Sequence, residues 1–318
     1  MRSEFEFIQN IKSKYNLRRV GDDCAVLPKD DKIDMVVTSD MLVEDIDFRL
    51  DWTTPELIGE KALAVSLSDI AAMGANPVFA MVSLGVPEVL WNTDFVDKFY
   101  EGWFTVARNY DVDLIGGDLS RTPDKIAIDS TVIGHIAKGK AILRSGAKPG
   151  DSIYVTGELG GASAGLKLLE SGFGYENSNQ GQNRLISRQL RPKPQVEIGK
   201  QLSALDLATA MVDLSDGISS DLSHICAMSG VGARIHWENI PVDRNIAELS
   251  VHSEEEADLA LNGGEDFELL FTAEEKKISQ ANFQGITRIG EITASVGMIE
   301  VVGHNGVSLL TPKGFRHF

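Results

Sequence analysis

Cysteine is nearly absent. Cys24 and Cys226 are the two in 318 residues, with no C-x-x-C pair between them. That excludes a disulfide-stapled scaffold and a thiolate metal site, and makes a reducing, cytoplasmic setting the expectation. No apolar run approaches the ~20 residues needed to span a bilayer. The opening MRSEFEFIQNIKSKYNL reads as a short amphipathic helix, not a signal peptide. Positive charge is scarce as well: 30 Lys and Arg stand against 47 Asp and Glu, a net charge of −17. Such a surface repels nucleic acid and anionic membranes, so neither is an expected partner. A phosphate-binding site here must bring its own cations. The familiar phosphate motifs are missing too: no GxxxxGK[ST] loop, no kinase glycine loop with HRD and DFG, and no EF-hand spacing.

What is present is an ordinary globular composition, 43% hydrophobic and 24% charged, long enough for two domains. Strand signals at 33–38, 78–85, 112–115 and 126–137 alternate with helices over 53–74 and 93–109. The first of these helices has Thr54 as N-cap, Pro55 at its first position and Gly74 just past its end, and is apolar nearly all round. The segment RSGAKPGD at 144–151 suits a domain junction, giving domains of 1–140 and 141–318. Beyond it come the strand SIYVT, the turn GELGGASAG and a helix to about Glu170. A polar loop over 172–183, helices over 195–205, 218–229 and 254–261, and a strand-rich tail complete the chain. No repeat or low-complexity tract occurs. The mixture predicts α+β or α/β layers.

The aspartates carry the chemistry. Asp22 and Asp23 sit in a Gly turn, Asp40 follows an apolar strand, Asp69 lies inside the apolar helix, Asp118 follows LIGG, and Asp213 and Asp216 bracket a turn. Each has a bland alternative. Asp69 with Ser66 would form a narrow exposed stripe, Asp118 would cap a turn, and Asp216 would N-cap the helix at 218–229. Together, carboxylates at strand ends beside Gly turns suit ligand binding in open sheets. An oxygen-only donor set without His or Cys points to hard cations such as Mg²⁺. GELGGASAG has the position of a dinucleotide loop but not its spacing, and a tight turn is the simpler reading. His135, His224 and His236 have no ligand partner at i+2 or i+4 and read as structural.

In chain order the motifs VGDDCAVL, TSDMLVEDIDF, KALAVSLSDIAAMGANP, LIGGDLSR, LRSGAKPGDSIYVTGELG, RPKPQ, VDLSDGISSDLSHI, SGVGARI, LNGGEDFELLFT, TRIGEI and GFRHF resemble the thiamine-monophosphate kinase family, within the aminoimidazole-ribonucleotide-synthetase-like superfamily. The resemblance implies an N-terminal α+β domain that pairs in a homodimer, a C-terminal α/β domain, and ATP with several Mg²⁺ ions between them. By motif, Asp23, Asp40, Asp69, Asp118 and Asp213 resemble the Mg²⁺ ligands, with Thr38 and Ser39 near the same ions and Asp216 on a further one. Gly117, Asp118, Arg144 and Ser215 resemble nucleotide contacts, while Glu265 and Phe315 resemble contacts to the thiamine moiety. The chain departs from the family where VEGVHF becomes VEDIDF: Asp47 stands for a substrate-contacting His and Asp45 for a Gly. GGDLS replaces the commoner GGDTS, and GELGGAS lacks an acid or Ser often found in that turn.

The implied reaction moves the γ-phosphoryl of ATP onto the phosphate of thiamine monophosphate. With a second pKa of about 6, a phosphomonoester is already an anionic nucleophile at pH 7, so no general base is needed. The barrier is the repulsion of two polyanions, about 4 kcal/mol per unit-charge pair at 4 Å and an effective dielectric of 20. Mg²⁺ and Arg144 would offset it. The alternatives are another ATP-dependent enzyme of the same superfamily and a non-catalytic Mg-nucleotide-binding protein. A selenophosphate synthetase should carry a reactive Cys in a Gly-rich N-terminal segment, and the hydrogenase-maturation enzyme should end in Cys.

Overall fold

The apolar helix is the pivot of the molecule. In a computed structural model describing residues 4–249, 252–304 and 306–315, it spans Pro55–Ala72. Thr54 Oγ1 accepts the Leu57 N–H, Pro55 enters where its missing N–H is harmless, and Gly74 leaves with φ +70°. Leu63, Leu67 and Ile70 are fully buried, each stabilising by about 1.5–3 kcal/mol. Two glycines bring neighbouring helices unusually close. A Cβ on Gly59 would fall 2.0 Å from the Phe99 carbonyl oxygen, and one on Gly199 would fall 2.1 Å from that of Ala71. The helix is thereby gripped from both sides by backbone-to-backbone contact.

Numbered along the chain, the N-terminal half comprises α1 (Glu4–Tyr15), β1 (Ala25–Pro28), β2 (Ile33–Val43), α2 (Pro55–Ala72), β3 (Asn76–Pro87), α3 (Glu88–Trp91), α4 (Phe95–Asn109), β4 (Asp113–Thr122) and β5 (Ala127–Ala137). Its sheet has the order β1-β2-β5-β3-β4, antiparallel except for the β3–β4 pair, which α4 connects. Helix α2 covers one face. The C-terminal half runs β6 (Ser152–Thr156), α5 (Gly161–Glu170), α6 (Gln180–Leu190), α7 (Val196–Ala204), β7 (Ala208–Asp213), α8 (Ile218–Ser229), β8 (Gly232–His236), α9 (Ser253–Asn262), β9 (Leu269–Ala273), α10 (Glu275–Ala281), β10 (Ile286–Thr293), β11 (Ile299–Gly303) and β12 (Gly306–Leu309). Its sheet order is β12-β11-β8-β10-β6-β9-β7, with only β8–β11 parallel. The mixed α/β architecture in two sheet-based halves agrees with the expectation. The cores are less separate than two domains suggest. One apolar cluster joins Leu63 and Leu67 of α2 to Leu202, Met211 and Phe271 of the second half.

Several boundaries differ from those read in the sequence. Strand β2 continues through Asp40 to Val43, because pairing with β5 sustains the ladder past the acids. Strand β4 likewise runs through Gly116, Gly117 and Asp118. The polar segment 172–183 ends in helix, since α6 begins at Gln180 on a capping box between Asn179 and Gln182. Helix α10 interrupts the strand-rich tail. Arg316 to Phe318, the end of the closing motif, lie outside the described residues.

Candidate active site, a carboxylate cage and its neighbouring cavity

Four elements converge on one point between the halves. The turn before β1 supplies Asp23, β2 supplies Thr38 and Asp40, α2 supplies Asp69, and the end of β7 supplies Asp213. Carboxylate oxygens of Asp23, Asp69 and Asp213 lie within 4.8 Å of one another. Asp40 faces the same cluster closely enough to raise the Asp69 carboxyl. The exposed-stripe alternative for Asp69 is excluded, because Ser66 is fully buried and donates to the Ser130 carbonyl at 2.9 Å. Thr38 Oγ1 donates to Asp69, and Ser68 Oγ donates to Asp213 at 2.7 Å. Arg144 closes the cage. Its Nε donates to Asp23 at 3.0 Å, and its backbone N–H to Asp22 at 2.9 Å.

The electrostatics are those of crowded, buried carboxylates. Burial first, then neighbouring carboxylates, pushes Asp40 up to about 6 and Asp213 up to about 8; Asp69 is also raised well above the ordinary carboxylate range for the same reasons. Oδ2 of Asp23 and Oδ2 of Asp40 are buried with no hydrogen-bond partner. A buried carboxylate oxygen without a partner is costly unless a cation fills the space. The all-oxygen donor set suits Mg²⁺.

A second cluster sits beside the first. Ligand atoms of Asp216, Asp221 and His224 lie within 4.8 Å of one another. Asp221 is buried and raised well above the ordinary carboxylate range by that burial and by Asp216 and Asp213; burial holds His224 down at about 4. Asp216 is not the expected N-cap of α8. Gly217 occupies that position with no side-chain cap, and the Asp216 N–H donates to Asp221 at 3.2 Å.

A cavity of about 440 Å³ opens from the cage, lined among others by Asp47, Lys61, Ser215, Asp216, Glu265 and Phe315. Asp47 accepts the Val43 N–H at 2.7 Å, so its carboxylate closes the turn after β2. Asp45 takes φ +70°, a conformation that explains the family's Gly at this place. Lys125 steadies it with an ion pair of 2.6 Å. Lys61, with Glu265 at 2.6 Å, was not foreseen, nor were Asp221, His224 and Gln189. The signal for Lys61 was available, since a lysine inside an all-apolar helix raises the same question as Asp69.

Three expected site residues, Ser39, Gly117 and Asp118, lie apart from the cage. Asp40 pairs with Ser130, Ser130 with Val82 and Val82 with Gly117, so Asp118 belongs to nearly the same cross-strand row as the cage. It stands three strands away, about 14 Å at ~4.8 Å per strand. Ser39 alternates to the opposite face from Thr38 and donates to Asp129 at 3.0 Å. Gly117, Asp118 and Tyr100 line a separate hollow. The GELGG turn holds no external anion, because Asp266 already accepts its Gly160 and Ala162 N–H groups at 2.6 and 3.1 Å.

Two family models match the chain. That for the N-terminal domain of AIR synthase related proteins matches residues 21–136, and that for the C-terminal domain matches 148–303. The thiamine-monophosphate kinase of Bacillus subtilis (strain 168) is 40% identical over 306 residues, 94% of this chain and 93% of that protein. The thiamine-monophosphate kinase of Escherichia coli (strain K12) is 38% identical over 307 residues, 94% of this chain and 91% of that protein. A solved structure described as AaThiL complexed with AMPPCP and TMP superposes with a TM-score of 0.90 at 33% identity, covering 99% of this chain and 97% of its own. By these relatives and by its two matched domains, the chain belongs to the thiamine-monophosphate kinase family of AIR synthase related proteins.

Proposed function

We propose that this protein transfers the γ-phosphoryl group of ATP to the phosphate of thiamine monophosphate, giving thiamine diphosphate and ADP. The observation that carries the reading is the convergence of Asp23, Asp69 and Asp213 beside Asp40, which itself lines the cavity that holds Glu265 and Phe315. An oxygen of the acceptor phosphate forms the new bond to the γ-phosphorus as the bond to the ADP oxygen breaks. The acceptor is already anionic, which agrees with the lack of a poised base among the described residues of the site: His224 is held neutral and its ring belongs to the second carboxylate cluster.

Asp23, Asp40, Asp69 and Asp213 would hold Mg²⁺, with Asp216 on a further ion. When bound, the ions supply the positive charge that lets two phosphate groups approach. The protein's own part is orientation. Arg144 places a fixed guanidinium at the cage, held by Asp23 while Asp22 accepts its backbone N–H, and Ser215 and Asp216 line the cavity. Phe315 and Phe267 give that cavity an apolar wall suited to an aromatic ring. No helix among the described residues is long and apolar enough to cross a membrane.

The position of Asp118 supports a second element of the reading, a homodimer. The face of the first sheet opposite α2 has no covering layer among the described residues. Met41 is 62% exposed there, and on the edge strand β4 Ile115 and Leu119 are each about half exposed. An apolar sheet face and an open edge of this kind call for a partner. A second copy would cover them and enclose Gly117 and Asp118.

The test is a coupled assay of ADP release with product identification by chromatography. ADP release that depends on thiamine monophosphate and Mg²⁺, with thiamine diphosphate formed in equal amount, is expected. Binding of Mg-ATP without turnover on this acceptor would overturn the reading in favour of a nucleotide-binding protein.

A further inference from the structure

Lys61 is a buried ammonium in a helix whose inward face is mostly apolar. Its side chain is 4% exposed. The ammonium reaches from α2 into the cavity wall and makes two contacts of different kinds. It forms an ion pair with Glu265 at 2.6 Å, and it donates to the backbone carbonyl of Asp47 at 3.2 Å. Those two partners belong to the two loops that flank the cavity: the turn after β2, and the GGEDF segment between α9 and β9. An ammonium carries three donors. With two engaged, one is left for the cavity that Lys61 itself lines.

The GGEDF segment needs such a tie. Glu265 has φ +64° and Phe267 φ +50°, so two non-glycine residues two apart occupy the left-handed region. Such conformations persist where surrounding contacts over-determine them. Here the Glu265 N–H donates to the Ser215 carbonyl at 2.8 Å, the Phe267 N–H donates to Leu214 at 2.9 Å, and the Gln189 amide donates to the Glu265 carboxylate. Gln189 and the backbone partners all come from the same half of the chain as Glu265 itself. Among these polar contacts, Lys61 is the one that crosses to the other half, where Phe267 adds apolar packing.

We propose that Lys61 is a positioning and specificity-determining residue: one ammonium ties both loops and so sets the gap and the carboxylate orientation that admit the substrate's ring system. The inference rests on the reading of the cavity as the acceptor site. It acts through Glu265 and the Asp47 carbonyl, and it leaves the cage and the nucleotide side untouched. A loss of Lys61 should therefore separate the two substrates kinetically.

The experiment uses the full chain with Lys61→Met, Lys61→Arg, Glu265→Gln and the double variant Lys61→Met/Glu265→Gln. KM for thiamine monophosphate, KM for ATP and kcat are measured, together with thermal midpoints. The expected result is a rise of at least tenfold in KM for thiamine monophosphate in Lys61→Met, with KM for ATP within twofold of wild type and partial recovery in Lys61→Arg. The double variant should regain the thermal midpoint lost by Lys61→Met, because it no longer strands a carboxylate, without regaining the KM. Equal losses for both substrates in Lys61→Met, or a KM restored along with the midpoint in the double variant, would overturn the proposal. Failure of the wild-type protein to turn over thiamine monophosphate would instead sink the functional reading. In that case the loop tie is judged by whether the two single substitutions are non-additive in thermal midpoint; additive effects overturn it.

Discussion

Replacing Asp213 by Asn should make the metal-free protein more stable and the loaded protein inactive. The side chain is buried, and Ser68 Oγ donates to it at 2.7 Å, a bond that an amide oxygen can still accept. What the substitution removes is charge. Carboxylate oxygens of Asp23, Asp69 and Asp213 lie within 4.8 Å of one another, and at an effective dielectric of 20 a like pair at that spacing repels by about 3–4 kcal/mol. Protons already held at neutral pH absorb part of this, so a net gain of about 1–3 kcal/mol is expected. At about 2–4 °C per kcal/mol, the thermal midpoint in EDTA should rise by about 2–12 °C. The amide cannot ligate as an anion, so the midpoint gain on adding Mg²⁺ with a non-hydrolysable ATP analogue should shrink. Turnover should fall by at least about 10²-fold, equivalent to losing several kcal/mol of charge stabilisation. Scanning fluorimetry with and without metal, beside the coupled ADP assay, reads both arms. A variant that is less stable than wild type in EDTA, or one that retains wild-type turnover, would refute the reasoning.

Three further outcomes follow from the same geometry. Metal-free stability should depend on pH in a fixed direction. The folded-state values of Asp40 and Asp213, about 6 and about 8, lie above the unfolded value near 4, so the folded state binds more protons between them. The stability is fully present below about pH 4 and is lost as pH rises towards about 8. The midpoint in EDTA should therefore fall from pH 5 to pH 8 while the Mg²⁺-induced gain grows, and a flat or opposite trend contradicts the assignment. Gly59→Ala would place a Cβ 2.0 Å from the Phe99 carbonyl oxygen, so helices α2 and α4 must separate; a loss of about 1–3 kcal/mol or more in chemical denaturation is expected, and a neutral variant would mean the helices are not in that contact. Leu119→Lys on the exposed edge strand β4 should shift the mass measured by light scattering from that of the proposed dimer to that of a monomer, whereas an unchanged mass would remove this edge from the interface.

The legible parts of the sequence were those governed by local chemistry. Thr54, Pro55 and Gly74 delimit α2 because capping depends on the residues themselves. The helix at 218–229 is found with the bounds read from its flanking glycines. Helix α6 was missed because its first turn is polar and Gly-containing, although Asn179 and Gln182 spell a capping box. The direction in which Asp69 points could not be read, because a helix apolar on every side has no periodicity to orient it. Asp118 is a different case. Strand spacing and sheet order decide where a residue stands, and the β3–β4 crossover that carries Asp118 to the sheet edge leaves no mark in local composition. The gathering of the acids was drawn from resemblance, and the fold alone reveals that Thr38 and Ser39, adjacent in sequence, serve opposite faces of one strand.

Helix α2 ties these observations into one physical argument. It contributes Asp69 to the cage, Ser68 to the support of Asp213, and Lys61 to the cavity wall. Each of these polar groups is expensive to bury, and each is matched by a partner on a different segment. A helix that carried them on a mobile surface would need no glycine contacts to hold it. Here Gly59 and Gly199 let its backbone touch neighbours from both halves, which fixes its rotation and axial position. A small shift of α2 would move the cage and the cavity together, because they hang from one rigid rod. The two sites therefore keep a constant separation, as direct transfer between two bound phosphates requires. The apolar core common to the two sheets is what makes that constancy possible, since neither half can rotate against the other without opening the packing around Leu63 and Leu67.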